Sequence, residues 1–131
     1  MCAESFTAAG GGKKILYVDD EENLVRLGEE FLSDLNYQVT CAFGGEQALS
    51  LFRDAEDGFD LVVTDETMPG MSGIQLAQEL YRISPETPVI LCSGYLLTMA
   101  EEGMAKTNIK AVLIKTDVCA KLPPLLEEFL C

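Results

Sequence analysis

A doubly wound α/β domain built on a parallel sheet is the fold class this sequence predicts, and three observations predict it. Short apolar runs and stretches of helical periodicity alternate five times along the chain. Four of those runs are continuously apolar, as strands buried on both faces must be, while the run at 37–42 alternates. Acids, a serine and a lysine stand immediately after the runs, and the ends of the strands are the edge at which open parallel sheets bind ligands.

Residues 1–12 are small and polar, end in Gly10-Gly11-Gly12, and read as a tail or linker, leaving 13–131 as the domain. Gly-Gly-Gly-Lys-Lys is not a phosphate loop, because it precedes a strand instead of following one. Ile15–Val18 is the first strand and stops at Asp19-Asp20-Glu21-Glu22, four acids suited to a helix N-terminus. Leu24, Leu27, Phe31, Leu32 and Leu35 then recur at helical spacing up to Asn36. In the second strand, Tyr37 to Ala42, Val39 and Cys41 alternate with Gln38 and Thr40, as expected at a sheet edge. Gly44-Gly45 turns the chain into a second helix carrying Ala48, Leu49, Leu51 and Phe52, which Asp57-Gly58 closes.

The third strand spans Phe59 to Thr64 and meets Asp65, followed by a loop marked by Pro69, Gly70 and Gly73. Ser72 is placed to cap a third helix with Ile74, Ala77, Leu80 and Tyr81. Val89–Cys92 forms the fourth strand, ending at Ser93-Gly94-Tyr95, and a weaker helical pattern containing Gly103 follows near Thr98–Lys106. Ala111–Ile114 is the fifth strand and ends at Lys115. The last helix uses Val118, Leu122, Leu125, Leu126 and Phe129; Pro123-Pro124 suit a first turn, so its start is expected near Leu122. Right-handed crossovers and an edge position for the second strand give the order 2-1-3-4-5, a flavodoxin-like (βα)5 sandwich.

Composition narrows the function. At 131 residues the chain fits one domain with a real core. Nine basic against 22 acidic residues leave a net charge of −13, a field that repels phosphate backbones and argues against direct nucleic-acid binding. There is no histidine, which excludes a histidine phosphocarrier, a Ser-His-Asp triad and a His-ligated zinc. The five cysteines are odd in number and widely spaced, as reduced thiols of a cytoplasmic protein would be. No apolar stretch reaches the roughly 18–20 residues of a membrane span, so membrane contact by this domain is not expected.

With the second strand at the edge, the ends of the first and third are neighbours, and Asp19, Asp20 and Asp65 gather there. Like charges so close raise one another's pKa unless a hard divalent cation such as Mg2+ relieves them. Ser93 and Lys115 add a hydroxyl and a positive charge. Each has a structural role it could serve alone, as helix cap, turn former or surface charge. Together they suit a phosphoryl group attacked by a carboxylate nucleophile.

These residues carry a family resemblance over about 13–131. Ile15-Leu16-Tyr17-Val18-Asp19-Asp20-Glu21, the loop Asp65–Gly73, Ser93-Gly94-Tyr95 and Lys115 together resemble the receiver domain of two-component response regulators. Leu91–Tyr95 is also similar to receivers within hybrid sensor kinases. The resemblance implies that Asp65 accepts phosphate from a phosphohistidine of a sensor histidine kinase or histidine phosphotransfer domain. It implies that Asp20 and Asp65 hold Mg2+ by their side chains, Thr67 by its backbone carbonyl and Asp19 through water. Ser93 would move to bond the phosphoryl group, Lys115 would pair with it, and Thr67 and Tyr95 would set its lifetime. Such a domain is a signalling phosphoacceptor, not an enzyme acting on other substrates.

Two departures stand out. Thr116 follows Lys115 where the family usually has proline, so the loop is expected to be less fixed, and Val112 stands where many receivers carry a switching Tyr or Phe. They motivate an alternative, a phosphorylation-independent interaction module on the same fold. A flavin site is disfavoured by acids at the first strand end, and an aspartate phosphohydrolase by the lack of a D-x-D pattern. No output domain is expected after Leu130; homodimerisation is left open.

Overall fold

The computed structural model describes residues 11–94 and 106–130. Its elements are β1 (Lys14–Val18), α1 (Glu22–Asp34), β2 (Gln38–Ala42), α2 (Gly45–Asp54), β3 (Leu61–Asp65), α3 (Gly73–Ile83), β4 (Val89–Ser93), β5 (Ile109–Ile114) and α4 (Val118–Leu130). A 3-10 turn, Lys115–Asp117, joins β5 to α4. All strands pair in parallel in the order β2-β1-β3-β4-β5. The predicted fold class and strand order hold. Tyr95 and the helix expected near 98–106 lie outside the described residues, apart from Lys106.

The period of two along each strand divides the core into two layers. Leu16, Val18, Val62 and Leu91 pack with Phe52, Leu76 and Leu80 from α2 and α3. Ile15, Tyr17, Val63, Ile90 and Cys92 face Val25, Leu32, Leu122 and Leu126 from α1 and α4. Burial on both faces explains why β3 and β4 have no exposed position. At the β2 edge, Gln38 is exposed and only Ala42 is fully buried.

Helix ends follow local chemistry. Ser72 caps α3, accepting from the Gln75 amide at 3.1 Å while the Gln75 side chain accepts from the Ser72 amide at 2.9 Å. Beyond α1, Asn36 takes a left-handed φ of 70° and the Tyr37 amide returns to the Leu32 carbonyl at 3.1 Å. Gly12 already donates to the Asn36 carbonyl at 2.8 Å, so the chain joins the fold just before Lys13.

The structure corrects three boundaries. β3 begins at Leu61, because Asp60 is used at the strand's entrance, its carboxylate accepting from the Lys14 amide at 2.8 Å. β5 begins at Ile109, which pairs with Val89; Ile90 then pairs with Ala111, so Lys110 is an extra residue that bulges the strand. And α4 begins at Val118, not near Leu122, with Pro123 and Pro124 inside it. The fully buried pair Leu122 and Leu126, four residues apart, holds this helix against the sheet despite the two missing amide donors. Among the described residues no helix is long and apolar enough to cross a membrane.

Candidate functional site

The C-terminal ends of β1 and β3 bring the acids together. Val18 pairs with Thr64, so Asp19 and Asp65 are each one residue beyond a paired position on adjacent strands. One carboxylate oxygen from each of Asp19, Asp20 and Asp65 lies within 4.8 Å of the others. Asp65 is 3% exposed and Asp19 5%, while Asp20 is open to solvent. Lys115, from the β5 end, places its Nζ 3.3 Å from Asp19 Oδ2, 3.3 Å from Asp65 Oδ1 and 3.4 Å from Glu21 Oε1.

One ammonium among four acids does not neutralise them. Burial, and then the neighbouring Asp19 carboxylate, push Asp65 up to about 6, although Lys115 pulls the other way. Burial also raises Asp19, opposed by the Glu21 amide, which donates to Asp19 Oδ1 at 3.0 Å, and by Lys115. For Lys115, burial alone would lower the pKa; the Asp19 and Asp65 carboxylates outweigh it and raise it.

Backbone bonding fixes the nucleophile candidate. The Thr64 hydroxyl donates to the Asp65 carbonyl at 3.0 Å. Glu66 donates its amide to the Cys92 carbonyl at 2.8 Å and accepts from the Gly73 amide at 3.0 Å. Its carboxylate takes the Ile74 amide at 2.9 Å, closing the loop onto the start of α3. Position 73 must be glycine, because a Cβ there would collide with the Asp65 carbonyl oxygen and fall 2.7 Å from Leu91 Cδ1. Met71 is pressed against Gly45 of α2 in the same way, a Cβ there standing 2.8 Å from Met71 Sδ.

Thr67 is exposed in this loop, and Ser93 is buried at the end of β4, one residue past the Asp65–Cys92 pairing. The expected departures also have places. Val112 is half-buried against the α2–α3 layer, and Thr116 lies in the 3-10 turn whose Lys115 carbonyl accepts from the Val118 amide.

The donor set suits a hard divalent cation. Three carboxylates converge and no imidazole or thiolate is among them, the oxygen-only chemistry that Mg2+ takes. Asp65 Oδ1 adds a sharper observation: it is buried, and although Lys115 stands at ion-pair distance it accepts no hydrogen bond. A buried acceptor so placed is costly unless a further group meets it.

Sequence reasoning missed two contributors, Glu21 as a third carboxylate on Lys115 and Glu66 as the clasp of the loop. Glu21 directly follows the acidic pair and so carried a signal. The reach of Glu66 to Ile74, eight residues away, left none.

Comparison with known proteins shows the family. Residues 15–122 match the family model described as the response regulator receiver domain. The chain is 40% identical over 82 residues to the two-component response regulator ARR14 of Arabidopsis thaliana, covering 63% of this chain and 22% of that protein. It is 33% identical over 103 residues to a response regulator receiver protein of Anaeromyxobacter, covering 79% of this chain and 42% of that one. Among solved structures, the response regulator TrrA of Thermotoga maritima, in complex with Mg2+ and BeF, superimposes with a TM-score of 0.80 at 29% identity, covering 89% of this chain and 98% of that one.

Proposed function

Because the chain belongs to the response regulator receiver-domain family, we propose that it is a phosphoacceptor, with Asp65 taking a phosphoryl group from a phosphohistidine in the presence of Mg2+. The observation that carries this reading is Asp65 itself: 3% exposed, within 4.8 Å of two further carboxylates, facing Lys115 at 3.3 Å and holding a buried oxygen without a hydrogen bond. The ion would be held by the side chains of Asp20 and Asp65 and the backbone carbonyl of Thr67, with Asp19 reaching it through water. When bound, it supplies countercharge for the carboxylates and for phosphoryl oxygens.

An Asp65 carboxylate oxygen attacks phosphorus; the new P–O bond forms as the P–N bond to imidazole breaks, and the leaving imidazole keeps that electron pair. With its pKa near 6, Asp65 is mostly ionised at neutral pH, as a nucleophile must be. Lys115 turns from its carboxylate partners to a phosphoryl oxygen, and the Ser93 hydroxyl donates to another. Thr67 and Tyr95 set the lifetime of the product.

The donor is a sensor histidine kinase or a histidine phosphotransfer domain, and the work is done in the cytoplasm by a domain spanning 13–131. Acetyl phosphate with Mg2+ should add one hydroxylamine-labile phosphate at Asp65, and chelation of the ion should abolish it. Undiminished labelling of Asp65→Asn would overturn the assignment.

A further inference from the structure

A cavity of about 140 Å3 lies between α1 and α4 and shares Asp19 and Lys115 with the acidic site. Leu24, Leu27 and Phe31 of α1 and Leu122 of α4 form apolar walls, while Asp19, Cys92 and Lys115 lie along its lining. Tyr17 of β1 also lines it. The ring is fixed from behind by Gly28, where a Cβ would fall 2.6 Å from the ring Cζ. It cannot swing towards the helix.

The Tyr17 side chain is an unusual lining group. The residue is 8% exposed, and no side-chain hydrogen bond to its hydroxyl is found among the described residues. The hydroxyl is not one of the sealed, unpartnered side-chain oxygens, so it opens to the cavity and can donate to an acceptor that enters there.

Charge decides the class of ligand. Lys115 already faces Asp19, Asp65 and Glu21, and Asp19 already has Lys115 and the Glu21 amide. A charged ligand would have to shed its water against the leucine and phenylalanine walls, and the surrounding acids repel anions. Size decides the rest: an apolar cavity of about 150 Å3 accommodates benzene.

We propose that this cavity binds a small uncharged molecule, aromatic or branched aliphatic, whose single hydroxyl or carbonyl accepts from Tyr17. Because Asp19 and Lys115 line the cavity, occupancy shifts the affinity of the phosphoacceptor site for its phosphoryl group. That second statement rests on the proposed function; binding itself does not.

The test is a titration of the metal-free chain with phenol, followed by amide chemical shifts. Saturable shifts are expected at Tyr17, Gly28 and Leu122, with a Kd on the order of a millimolar for so small a ligand. Tyr17→Phe should weaken binding about fivefold by removing one hydrogen bond. Leu27→Trp should abolish it by filling the mouth; Leu27 is 62% exposed, so the fold tolerates the change, which the spectrum itself verifies. Absence of saturable shifts, equal affinity in Tyr17→Phe, or shifts surviving in a folded Leu27→Trp overturns the site.

A second arm measures beryllofluoride binding with Mg2+, with and without saturating phenol, where a change of about fivefold is expected. Phenol binding with no beryllofluoride response at all overturns the phosphoacceptor reading and leaves the cavity standing. Independent binding of both overturns the coupling.

Discussion

The two junctions that present Asp65 and Lys115 are built differently. Asp65 ends β3 inside a cage of backbone bonds: the Thr64 hydroxyl on its carbonyl, and Glu66 tied to Cys92, Gly73 and Ile74. Lys115 leaves β5 through a short 3-10 turn into a helix interrupted by two prolines, and its ammonium is located by three carboxylates. One group is positioned by the fold and the other by charge. Damage at the first junction should therefore disturb stability and chemistry together, whereas damage at the second should fall mainly on chemistry.

Gly73→Ala should have the largest effect, because the new methyl meets the Asp65 carbonyl oxygen and Glu66 Cα, backbone that cannot move aside. A loss of about 3 kcal/mol is expected by denaturant titration, with labelling at Asp65 reduced in parallel. Full stability with intact labelling would show the β3–α3 junction to be looser than its bonding implies.

Lys115→Ala tests the other junction. Labelling by acetyl phosphate should fall about a hundredfold, as when one donor to developing negative charge is removed. Stability should fall by only about 2 kcal/mol, because the lysine is partly exposed and the stranded acids can take up protons. A stability loss matching Gly73→Ala would erase the distinction between the two junctions.

The sequence carried the first junction more legibly than the second. Ser72 and its box partner Gln75 are local signals, and the strand order follows from where apolar continuity breaks. Asp19, Asp20 and Asp65 were locatable because parallel strands end at one edge, a rule that requires no side-chain detail. At the second junction the extra residue Lys110 shifts the register of β5, and α4 starts four residues ahead of the point its prolines suggest. Both reflect long-range burial, of Ile109 and of Leu122 with Leu126, overriding local preference. The Tyr17–Gly28 contact joins a strand to a helix, and nothing in either segment alone announces it.

Asp65→Asn separates fold from charge at the well-bonded junction. Because burial and Asp19 raise the folded pKa of Asp65 from 3.8 to about 6, its protonated form stabilises the metal-free protein. That contribution is complete below about pH 4 and is lost as pH rises through 6. Metal-free Asp65→Asn should therefore be about 2 kcal/mol more stable than the native protein at pH 8, with the advantage fading towards pH 4. Mg2+ should stabilise the native chain much more than the variant. Thermal melts across pH, with and without the ion, measure both.

Pro124→Ala should have the smallest effect and reports on the looser junction alone. The side chain is exposed, so little packing is lost, while the restored amide can donate to the Ala120 carbonyl four residues back. Proline's cost inside a helix is about 3 kcal/mol, but its rigidity also restrains the unfolded chain, so a net gain of about 1 kcal/mol is expected. Labelling at Asp65 should not change, since Lys115 is held by its carboxylates and not by the middle of α4. A faster loss of phosphate in this variant would mean that the helix, as well as charge, holds the lysine in place.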